Sequence, residues 1–473
     1  MKRLFGTDGV RGVAGAFPLD EATVSRLGLA LGALLRTGMN GGEPRVLIGR
    51  DTRESGPEIE AWLSRGLRES GVRPDVLGIV TTPALAYLTR DGGYAAGAMI
   101  SASHNPYTDN GIKVLGPDGM KFPDAREVMI ERLILDGVTG TAGGRVSTAP
   151  PASSVERRKP SARVKNDPVP ELFPEASPAL EAYLRHLTEA AGGPGCLEGL
   201  SIVLDCAHGA ASRIAPPLFA SLGARVTAIG CEPTGRNINT GCGSLHLEPL
   251  QNEVPRIGAD IGLAFDGDAD RCLPVDRTGA ALDGDFILWI EARRLHARGL
   301  LRGNAVVATV MSNLWLEHAL AGEGIRLLRA PVGDKYVLER MLAENASLGG
   351  EQSGHIIFLD HFPTGDGILT GLLLASAVRQ DGIDIAAVAA GIRRCPQVLL
   401  NVKVARRIPF ADHPVIGPAI ARLEGRLAGQ GRLLLRYSGT EPLARVMVEG
   451  TDENLVHSVA DELASLIQAE LGA

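Results

Sequence analysis

The feature that most constrains the fold is a strand-and-loop pattern that occurs three times along the 473-residue chain. A short apolar stretch runs into a polar loop at 45–56 (RVLIGRDTRESG), 200–211 (LSIVLDCAHGAA) and 304–313 (NAVVATVMSN). Each copy continues with a Gly-led strand pattern and then with a third unit, which is a strand pattern that ends in a polar loop; the third units are 95–106, 259–271 and 346–355. Because short apolar strands that alternate with helical patterns are typical of parallel α/β units, the repeat predicts three α/β domains of similar topology.

The last part of the chain departs from this pattern. After residue 391 the sequence has one strand pattern, then two strand patterns joined by the polar loop at 436–445, and then a helix. We therefore predict an α/β fold with three similar mixed α/β domains plus a smaller C-terminal α+β domain. Ligands of open α/β sheets bind beyond the carboxyl ends of the strands, so the polar loops are expected to surround a central cleft.

The domain boundaries follow from these patterns and from one proline-rich segment. Seven of the 29 prolines fall between residues 150 and 178, where no apolar periodicity persists. This composition predicts a linker or insertion at 151–177, and a basic interaction site at its RRKPSARVK stretch is the alternative. The predicted domains are 1–150 with a serine loop, 178–275 with a metal-binding loop, 276–390 with a sugar-binding loop, and 391–473 with a phosphate-binding loop.

Two helix starts are predicted from polar residues that precede apolar stripes. Asp20 stands before a stripe at helical spacing near the N terminus, and Thr451 stands before a stripe near the C terminus. Ser, Thr, Asp and Asn are preferred at such positions because their side chains accept hydrogen bonds from first-turn N–H groups.

Bulk composition excludes several classes of partner. The net charge of −7 will not attract nucleic acid or an anionic membrane to the protein as a whole. The longest apolar run is shorter than the roughly 20 residues that span a bilayer, and residues 1–10 lack the apolar core of a signal peptide. The six cysteines form no C-x-x-C pair, so reduced thiols and a cytoplasmic location are expected.

The stretch FDGDADR at 265–271 is the strongest metal-binding motif. Asp266, Asp268 and Asp270 alternate, so their carboxylates point the same way in an extended loop. Close carboxylates repel each other unless a cation neutralises them, and hard oxygen ligands suit Mg²⁺. The alternatives are a solvated acidic turn and an EF-hand-like calcium loop, and the latter is disfavoured because the twelfth loop position lacks a glutamate.

The loop RYSGTEPLAR at 436–445 is a candidate anion site. Arg436 and Arg445 flank Ser438, Gly439 and Thr440. Small residues let backbone N–H groups approach an anion, while hydroxyls and guanidinium groups add donors. The alternative is a hairpin loop with exposed arginines.

The loop GGEQSGH at 349–355 is a candidate sugar site. Glu351, Ser353 and His355 offer acceptors and donors for vicinal hydroxyls, although Gly-rich loops are common. Two loops nearer the N terminus, 5–12 and 49–56, combine Gly, Asp, Thr and Arg. Tight turns with Asp–Arg pairs would explain both, and guidance of a phosphate by Arg11 is the functional interpretation.

The stretch SASHNP at 101–106 adds a nucleophile to this set. A cation site, an anion loop, a sugar-type loop and Ser103 together indicate phosphoryl transfer on a phosphosugar, with the serine as the acceptor. A Ser-His-Asp hydrolase is disfavoured because no G-x-S-x-G surrounds Ser103, and a P-loop kinase because the sequence has no Walker A motif.

In their order and separations, SASHNP, DGDADR, GGEQSGH and RYSGTEP resemble the motifs of the α-D-phosphohexomutase family over essentially the whole chain. The chain looks most like the bacterial branch that acts on glucosamine phosphates, and Gln352 stands where the mannose and glucose branch more often has methionine. The resemblance implies that glucosamine 6-phosphate and glucosamine 1-phosphate are interconverted through a phosphoserine and a 1,6-bisphosphate, for UDP-N-acetylglucosamine and cell-wall synthesis. The alternatives are a mannose or glucose phosphate mutase and a sugar-phosphate-binding protein without catalysis.

The resemblance also implies residue roles and partners. Ser103 would carry the transferable phosphoryl group and, with Asp266, Asp268 and Asp270, hold one Mg²⁺ per chain. Arg11 and Arg271 would assist the reacting phosphate. The sugar would be contacted by Glu351, Ser353 and His355. The other phosphate would be bound by Arg436, Ser438, Gly439, Thr440 and Arg445. The implied partners are a phosphosugar substrate, a bisphosphate activator and a second copy in a homodimer, with no nucleic acid or membrane.

The acceptor for the proton of the attacking hydroxyl has two candidates. Lys113 is the family-like one, although a lysine with the usual pKa of about 10.4 is a poor base unless nearby cations lower that pKa. His104 titrates near neutrality, and its alternative role is to position the serine loop. The stretch DHFPTGDG at 360–367 departs from the family pattern, because Phe362 and Pro363 stand where small threonines are commoner.

Overall fold

The computed structural model describes residues 4–6, 8–37, 43–135, 178–438 and 442–472, except for the side chains of residues 178 and 179. The chain forms two compact units. The first unit consists of Met1–Asp283 and Ser353–Asp384, and the second unit consists of Gly284–Gln352 and Ile385–Ala473. The predicted linker at 151–177 lies outside the described residues.

The strands of the described residues are β1 (Phe5–Gly6), β2 (Gly9–Val13), β3 (Arg45–Arg50), β4 (Arg73–Ile79), β5 (Ala96–Ile100), β6 (Asp109–Leu115), β7 (Ser201–Asp205), β8 (Arg225–Ile229), β9 (Ile261–Phe265), β10 (Cys272–Asp276), β11 (Ala305–Thr309), β12 (Arg326–Ala330), β13 (Leu348–Gly350), β14 (Ile356–Phe358), β15 (Gln397–Lys403), β16 (Gly431–Tyr437) and β17 (Leu443–Gly450).

The α-helices of the described residues are α1 (Glu21–Arg36), α2 (Gly56–Glu69), α3 (Thr82–Asp91), α4 (Asp124–Leu135), α5 (Pro178–Ala191), α6 (Ala215–Ser221), α7 (Glu248–Ile257), α8 (Gly284–Ala297), α9 (Leu314–Gly322), α10 (Asp334–Glu344), α11 (Gly367–Gln380), α12 (Ile385–Ala390), α13 (Ile416–Leu427) and α14 (Glu453–Leu471). None of them is both long enough and apolar enough to cross a membrane.

The threefold repeat predicted from the sequence is confirmed by the strand pairing. β3 pairs in parallel with β4 and β5, and β7 pairs in parallel with β8 and β9. In the second unit, β11 likewise pairs in parallel with β12 and β13. The central strands are apolar along almost their whole length because helices cover both faces of such sheets.

Two antiparallel hairpins in the first unit carry the polar loops that matter most for function. β5 returns through β6, and β9 returns through β10. Ser103 lies in the first connection, and the 266–271 loop forms the second. Both connections begin where a strand that pairs in parallel with its neighbour ends, which is the edge predicted to bind ligands.

The predicted α+β domain at the end of the chain is also confirmed. β15, β17 and β16 form an antiparallel sheet in that order, and the described residues of α13 and α14 share its apolar core. The polar loop at 436–445 connects β16 to β17.

One of the two predicted helix starts is confirmed and the other is wrong. Asp20 caps α1, because its carboxylate accepts a hydrogen bond from Thr23 N at 3.0 Å. Thr451 does not cap α14. Asp452 does, by accepting from Leu455 N at 3.1 Å, because it directly precedes the first helical residue and Thr451 stands one position too early.

The Phe-Pro departure at 360–367 has a packing explanation. The Phe362 side chain is 3% exposed, and its ring centroid lies 5.6 Å from that of Tyr87. The Arg90 guanidinium lies 4.4 Å from the Phe362 ring centroid, which is cation–π range. A threonine at this position would leave these two side chains without the aromatic surface on which they pack.

Asp366 gives this region a pH-dependent stability. It caps α11, accepts a hydrogen bond from Tyr183 Oη at 2.9 Å, and is 3% exposed. Burial raises the pKa of Asp366 to about 6. Because the folded-state pKa lies above the unfolded one, the folded chain binds the proton more tightly. The stabilisation of the folded chain by this proton is present in full below about pH 4 and is lost as the pH rises through about 6.

We therefore expect the wild-type chain to lose about 2 kcal/mol of stability relative to Asp366→Asn between about pH 4 and pH 7. The asparagine variant keeps a cap and cannot ionise, so it removes the titration alone. Denaturant unfolding of both chains across this pH range measures the difference. Parallel stability curves for the two chains would show that Asp366 does not titrate as its burial requires.

Candidate active site

Ser103 lies buried at the end of β5 in a constrained backbone conformation. Its φ is +53°, a left-handed conformation that a non-glycine residue adopts only when its surroundings hold it there. Its N–H donates to Ser101 Oγ at 2.9 Å, and its own Oγ donates to Asp266 Oδ2 at 2.6 Å. The structure therefore brings the predicted nucleophile against a predicted metal ligand that is 163 positions away.

The Ser103 loop is supported by two side chains that donate to the same two carbonyl groups. Arg53 Nη2 donates to Ser103 O and Asn105 O, each at 2.9 Å. Asn239 Nδ2 donates to these oxygens at 2.9 and 3.1 Å. Arg53 is itself 0% exposed and pairs with Asp51 at 2.9 Å, so the Asp–Arg turn predicted at 49–56 is present. Together these contacts fix the backbone that carries the serine.

This support gives a testable prediction. Asn239→Asp should lower kcat about tenfold or more, because a carboxylate in place of the amide would repel both carbonyl groups and displace the loop. Asn239 has φ +59°, which aspartate also tolerates. The matched control is Asn304→Asp, since Asn304 has φ +46° and its amide donates to Gly324 O at 2.6 Å. Steady-state kinetics of both variants make the comparison, and equal kcat values would contradict it.

The three aspartates among the predicted metal ligands form one buried group at the end of β9. Asp266, Asp268 and Asp270 each offer a carboxylate oxygen, and these oxygens lie within 4.8 Å of one another. Burial raises the pKa of Asp266 well above its ordinary value, and the charges of Asp270 and Asp268 add to this effect. Such a group is costly to ionise without a cation.

The unused oxygens of this group fit a divalent cation. Asp268 Oδ1 and Asp270 Oδ1 are buried and have no hydrogen-bond partner among the described residues. Buried carboxylate oxygens are normally satisfied, so two such oxygens beside Ser103 Oγ provide hard ligands for an ion. The solvated acidic turn is excluded as an alternative, because all three side chains are at most 8% exposed.

Lys113, on β6, neutralises part of this charge. Its Nζ lies 2.9 Å from Asp268 Oδ2 and 3.3 Å from both Asp270 Oδ2 and Asp8 Oδ2. Burial disfavours the ammonium, but Asp268, Asp8 and Asp270 more than offset it and raise the pKa of Lys113 well above its ordinary value. Without a bound cation, Lys113 is therefore a charged partner of the carboxylates.

His104 has the opposite electrostatic environment. Burial lowers the pKa of its imidazole to about 4, and the charges of Arg271 and Arg11 act in the same direction. The ring is neutral at pH 7, and its Nδ1 lies 3.2 Å from Ser103 Oγ.

Arg11 and Arg271 both lie near this group. Arg11 pairs with Asp8, which confirms the Asp–Arg pair predicted at 5–12. Arg271 N donates to Asp266 Oδ1 at 3.2 Å, and its Nε lies 3.8 Å from Asp270 Oδ1. The two side chains are 27% and 20% exposed, so their guanidinium groups can be reached from solvent.

The predicted sugar loop is divided between the two units. His355 and Ser353 belong to the first unit. Burial there would raise the pKa of Asp270, but its electrostatic interactions with Lys113 and then with His355 lower that pKa below its ordinary value. Glu351 and Gln352 belong to the second unit. There Glu351 Oε1 accepts from Gly333 N at 3.0 Å, and Gln352 Nε2 donates to Asp285 Oδ2 at 3.3 Å.

The predicted anion loop has its two arginines side by side. Arg436 on β16 and Arg445 on β17 are directly paired across the antiparallel ladder. Burial lowers the pKa of Arg436, and the charge of Arg445 lowers it further. Like charges on opposite residues destabilise a sheet unless an anion lies between them. Ser438 is 2% exposed and its N–H donates to Leu443 O, while Gly439 and Thr440 lie outside the described residues.

Sequence reasoning missed several side chains that build this site. The sequence predicts the Asp51–Arg53 pair of the 49–56 turn, but not that Arg53 also donates to Ser103 O and Asn105 O. Asn239 carries no signal that separates it from ordinary loop residues, and the Asp–Arg pair predicted at 5–12 does not indicate that Asp8 also pairs with Lys113.

Comparison with known proteins agrees with this geometry. The chain matches all four models of the phosphoglucomutase/phosphomannomutase family, namely alpha/beta/alpha domains I (residues 2–139), II (181–279) and III (283–395) and the C-terminal domain (399–466). The chain therefore belongs to the α-D-phosphohexomutase family of isomerases, as its motifs indicated.

Within this family, its curated relatives include bacterial phosphoglucosamine mutases. The one from Solibacter usitatus is 46% identical over 471 residues, which cover 100% of this chain and 99% of the relative. The one from Rhodococcus erythropolis is 47% identical over 467 residues, with 99% of each chain covered.

Solved structures share the fold. A phosphoglucomutase/phosphomannomutase family protein from Burkholderia thailandensis has a TM-score of 0.75 at 23% identity. The match covers 99% of this chain and 98% of the Burkholderia chain. Another similar structure is that of Aspergillus fumigatus N-acetylphosphoglucosamine mutase, which was solved with GlcNAc-6P and magnesium. Its TM-score is 0.62 at 18% identity, and the match covers 99% of this chain and 96% of the Aspergillus chain.

Proposed function

We propose that this chain interconverts glucosamine 6-phosphate and glucosamine 1-phosphate, for UDP-N-acetylglucosamine and cell-wall synthesis. The observation that carries the proposal is the hydrogen bond of 2.6 Å between Ser103 Oγ and Asp266 in a buried group of three carboxylates. The preference for an amino sugar is supported by the curated relatives at 44–47% identity, which are phosphoglucosamine mutases.

The proposed reaction begins with a phosphoryl group on Ser103. The bond between Ser103 Oγ and phosphorus breaks, and a bond forms between phosphorus and O1 of glucosamine 6-phosphate. The 1,6-bisphosphate then reorients, the bond between its 6-phosphoryl phosphorus and O6 breaks, and a bond forms between this phosphorus and Ser103 Oγ. O6 takes the proton that the first transfer removed from the attacking hydroxyl, and glucosamine 1-phosphate is released. Added bisphosphate acts as an activator because it restores any dephosphorylated enzyme.

The residues around Ser103 supply charge and orientation. Ser103, Asp266, Asp268 and Asp270 would hold one Mg²⁺, which neutralises charge on the transferring phosphoryl group. Arg11 and Arg271 bind the oxygens of this group from the more exposed side. Arg53 and Asn239 keep the serine loop in place, and this preorganisation is what phosphoryl transfer mainly needs.

The proton of the attacking hydroxyl passes to Lys113 in this proposal. Two of the three carboxylates that raise its pKa, those of Asp268 and Asp270, are also ones that would bind the cation, and a bound cation would weaken their hold on the ammonium proton. His104 is the second candidate, because it is neutral at pH 7 and lies 3.2 Å from Ser103 Oγ.

The remaining residues bind the parts of the substrate that do not react. Glu351, Ser353 and His355 are proposed to contact the sugar hydroxyls. Arg436, Ser438, Gly439, Thr440 and Arg445 are proposed to bind the second phosphate. A cytoplasmic location is proposed from the unpaired state of all six cysteines, and the homodimer stays a prediction from the family resemblance.

The phosphate anchor yields a prediction of its own. Arg436→Ala should raise KM for the sugar phosphate about tenfold to a hundredfold with a small change in kcat, because it removes a contact made equally before and during transfer. Arg422→Ala is the control, since Arg422 is 56% exposed and pairs with Glu462 on the surface. A normal KM in Arg436→Ala would remove this residue from the anchor.

The experiment that tests the function compares turnover on three substrates. Glucosamine 6-phosphate, glucose 6-phosphate and mannose 6-phosphate are supplied with Mg²⁺ and a bisphosphate activator, and kcat/KM is measured for each. We expect the amino sugar to be preferred. A preference for glucose or mannose phosphate would replace the assigned substrate, and no turnover of any of the three would favour a binding protein.

A further inference from the structure

Thr82, the first residue of α3, holds Asp268 at two points. Its Oγ1 donates to Asp268 Oδ2 at 2.5 Å, and its N–H donates to Asp268 O at 3.0 Å. Thr82 is 3% exposed, so water does not compete strongly for either hydrogen bond. The two residues are 186 positions apart in sequence, and they join the domain that carries Ser103 to the loop that carries the carboxylates.

These contacts divide the two oxygens of Asp268 into different roles. Oδ2 accepts from Thr82 Oγ1 and also from Lys113 Nζ at 2.9 Å. Oδ1 is buried and has no hydrogen-bond partner among the described residues. A carboxylate with one oxygen bound by two donors cannot rotate freely. Oδ1 of Asp268 therefore remains the oxygen that is available to a ligand.

The start of α3 suits this task. Thr81 caps the helix by accepting from Ala84 N at 3.3 Å, and Pro83 follows Thr82 in the first turn. The N–H of a first-turn residue has no acceptor within its own helix, so the Thr82 N–H can bind Asp268 O without loss of a helical hydrogen bond. A rigid helix positions a supporting side chain more accurately than a loop does.

We propose that Thr82 is a positioning residue of the cation site, and that its hydroxyl makes Asp268 Oδ1 the oxygen that binds the ion. The inference rests on the cation site of the proposed function and goes beyond it by assigning a residue outside the four ligands. Partners that orient metal ligands typically change metal affinity about 10–100-fold when they are removed.

The test uses one helix for both variant and control. Thr82→Val removes the hydroxyl at nearly constant volume, and Thr82→Ser restores it. Thr89→Val is the matched control, because Thr89 is also buried in α3 but its hydroxyl donates at 2.7 Å to Leu85 O rather than to a carboxylate. Each full-length chain is titrated with Mn²⁺ alone by calorimetry, and its thermal unfolding is recorded beside the titration.

We expect Thr82→Val to bind Mn²⁺ about tenfold or more weakly, and Thr82→Ser and Thr89→Val to bind it within about twofold of wild type. In turnover assays, Thr82→Val should need about tenfold more Mg²⁺ and recover most of its kcat at saturation, which a general loss of structure would not allow. If Thr82→Val does not fold, Thr82→Ala serves for the same comparison.

Two results would overturn the inference. One is wild-type Mn²⁺ affinity in a folded Thr82→Val, and the other is a wild-type chain that binds no Mn²⁺. Since the titration contains no sugar phosphate, a chain that binds Mn²⁺ with the expected dependence on Thr82 but turns over no substrate would refute the proposed function and leave this inference standing.

Discussion

Ser103→Ala is expected to lower turnover by at least about 10⁴-fold, because the variant lacks the hydroxyl that is proposed to carry the phosphoryl group. Ser103 Oγ contacts the carboxylate group directly, at 2.6 Å from Asp266 Oδ2. The variant should still bind substrate, since the proposed anchors at Arg436 and Arg445 are unchanged. Turnover is measured with glucosamine 6-phosphate, and intact mass shows whether the chain carries phosphate.

The control for this variant is Ser376→Ala. Ser376 is 3% exposed and its hydroxyl donates to Ala191 O at 3.3 Å, so the change removes a buried hydroxyl away from the carboxylates. The control should keep turnover and the phosphate on Ser103. Turnover in Ser103→Ala close to that of the control would remove Ser103 as the nucleophile.

Asp266→Asn is expected to abolish activity without destabilising the cation-free protein. The substitution removes the carboxyl group whose pKa is raised well above its ordinary value by burial and by the charges of Asp270 and Asp268, so it relieves an unfavourable ionisation in the cation-free state. Activity should fall about 10³-fold or more, because the cation and its charge neutralisation are lost. Turnover and thermal unfolding in the presence of a chelator measure the two effects.

Chelation of the wild-type chain is the companion experiment. Removal of divalent cations should abolish turnover, and Mg²⁺ should restore it. The control for the Asp266→Asn variant is Asp20→Asn, because this change also removes an acidic charge but lies at the cap of α1, where asparagine caps equally well. Normal activity in Asp266→Asn, or in the chelated wild type, would show that the carboxylate group does not hold the cation that transfer needs.

The sequence was most informative where a local pattern has only one good structural solution. The alternation of Asp266, Asp268 and Asp270 predicted a common direction for three carboxylates, and they do lie together. The repeated strand-and-loop pattern predicted the parallel pairing around β3, β7 and β11, because apolar strands of this kind must be covered on both faces.

The sequence was least informative where a contact depends on long-range packing. Thr82 and Asn239 stand in ordinary turn and loop sequences, and their partners are 186 and 136 positions away. The environment of Lys113 was also beyond prediction, since its spacing from Ser103 does not show that Asp8 and Asp268 would surround it. The cap at Asp452 was missed because two adjacent residues were both good candidates and only the backbone decides between them.

The most direct test of the central claim is a single turnover of the phosphorylated enzyme. The chain is phosphorylated with bisphosphate, freed of excess reagent, and mixed with glucosamine 6-phosphate and Mg²⁺, and the phosphate on Ser103 is followed by mass spectrometry beside the sugar products. We predict that phosphate leaves Ser103 as glucosamine 1,6-bisphosphate appears, and that it returns as glucosamine 1-phosphate forms. Product formation while the phosphate stays on Ser103, or at another residue, would contradict the account.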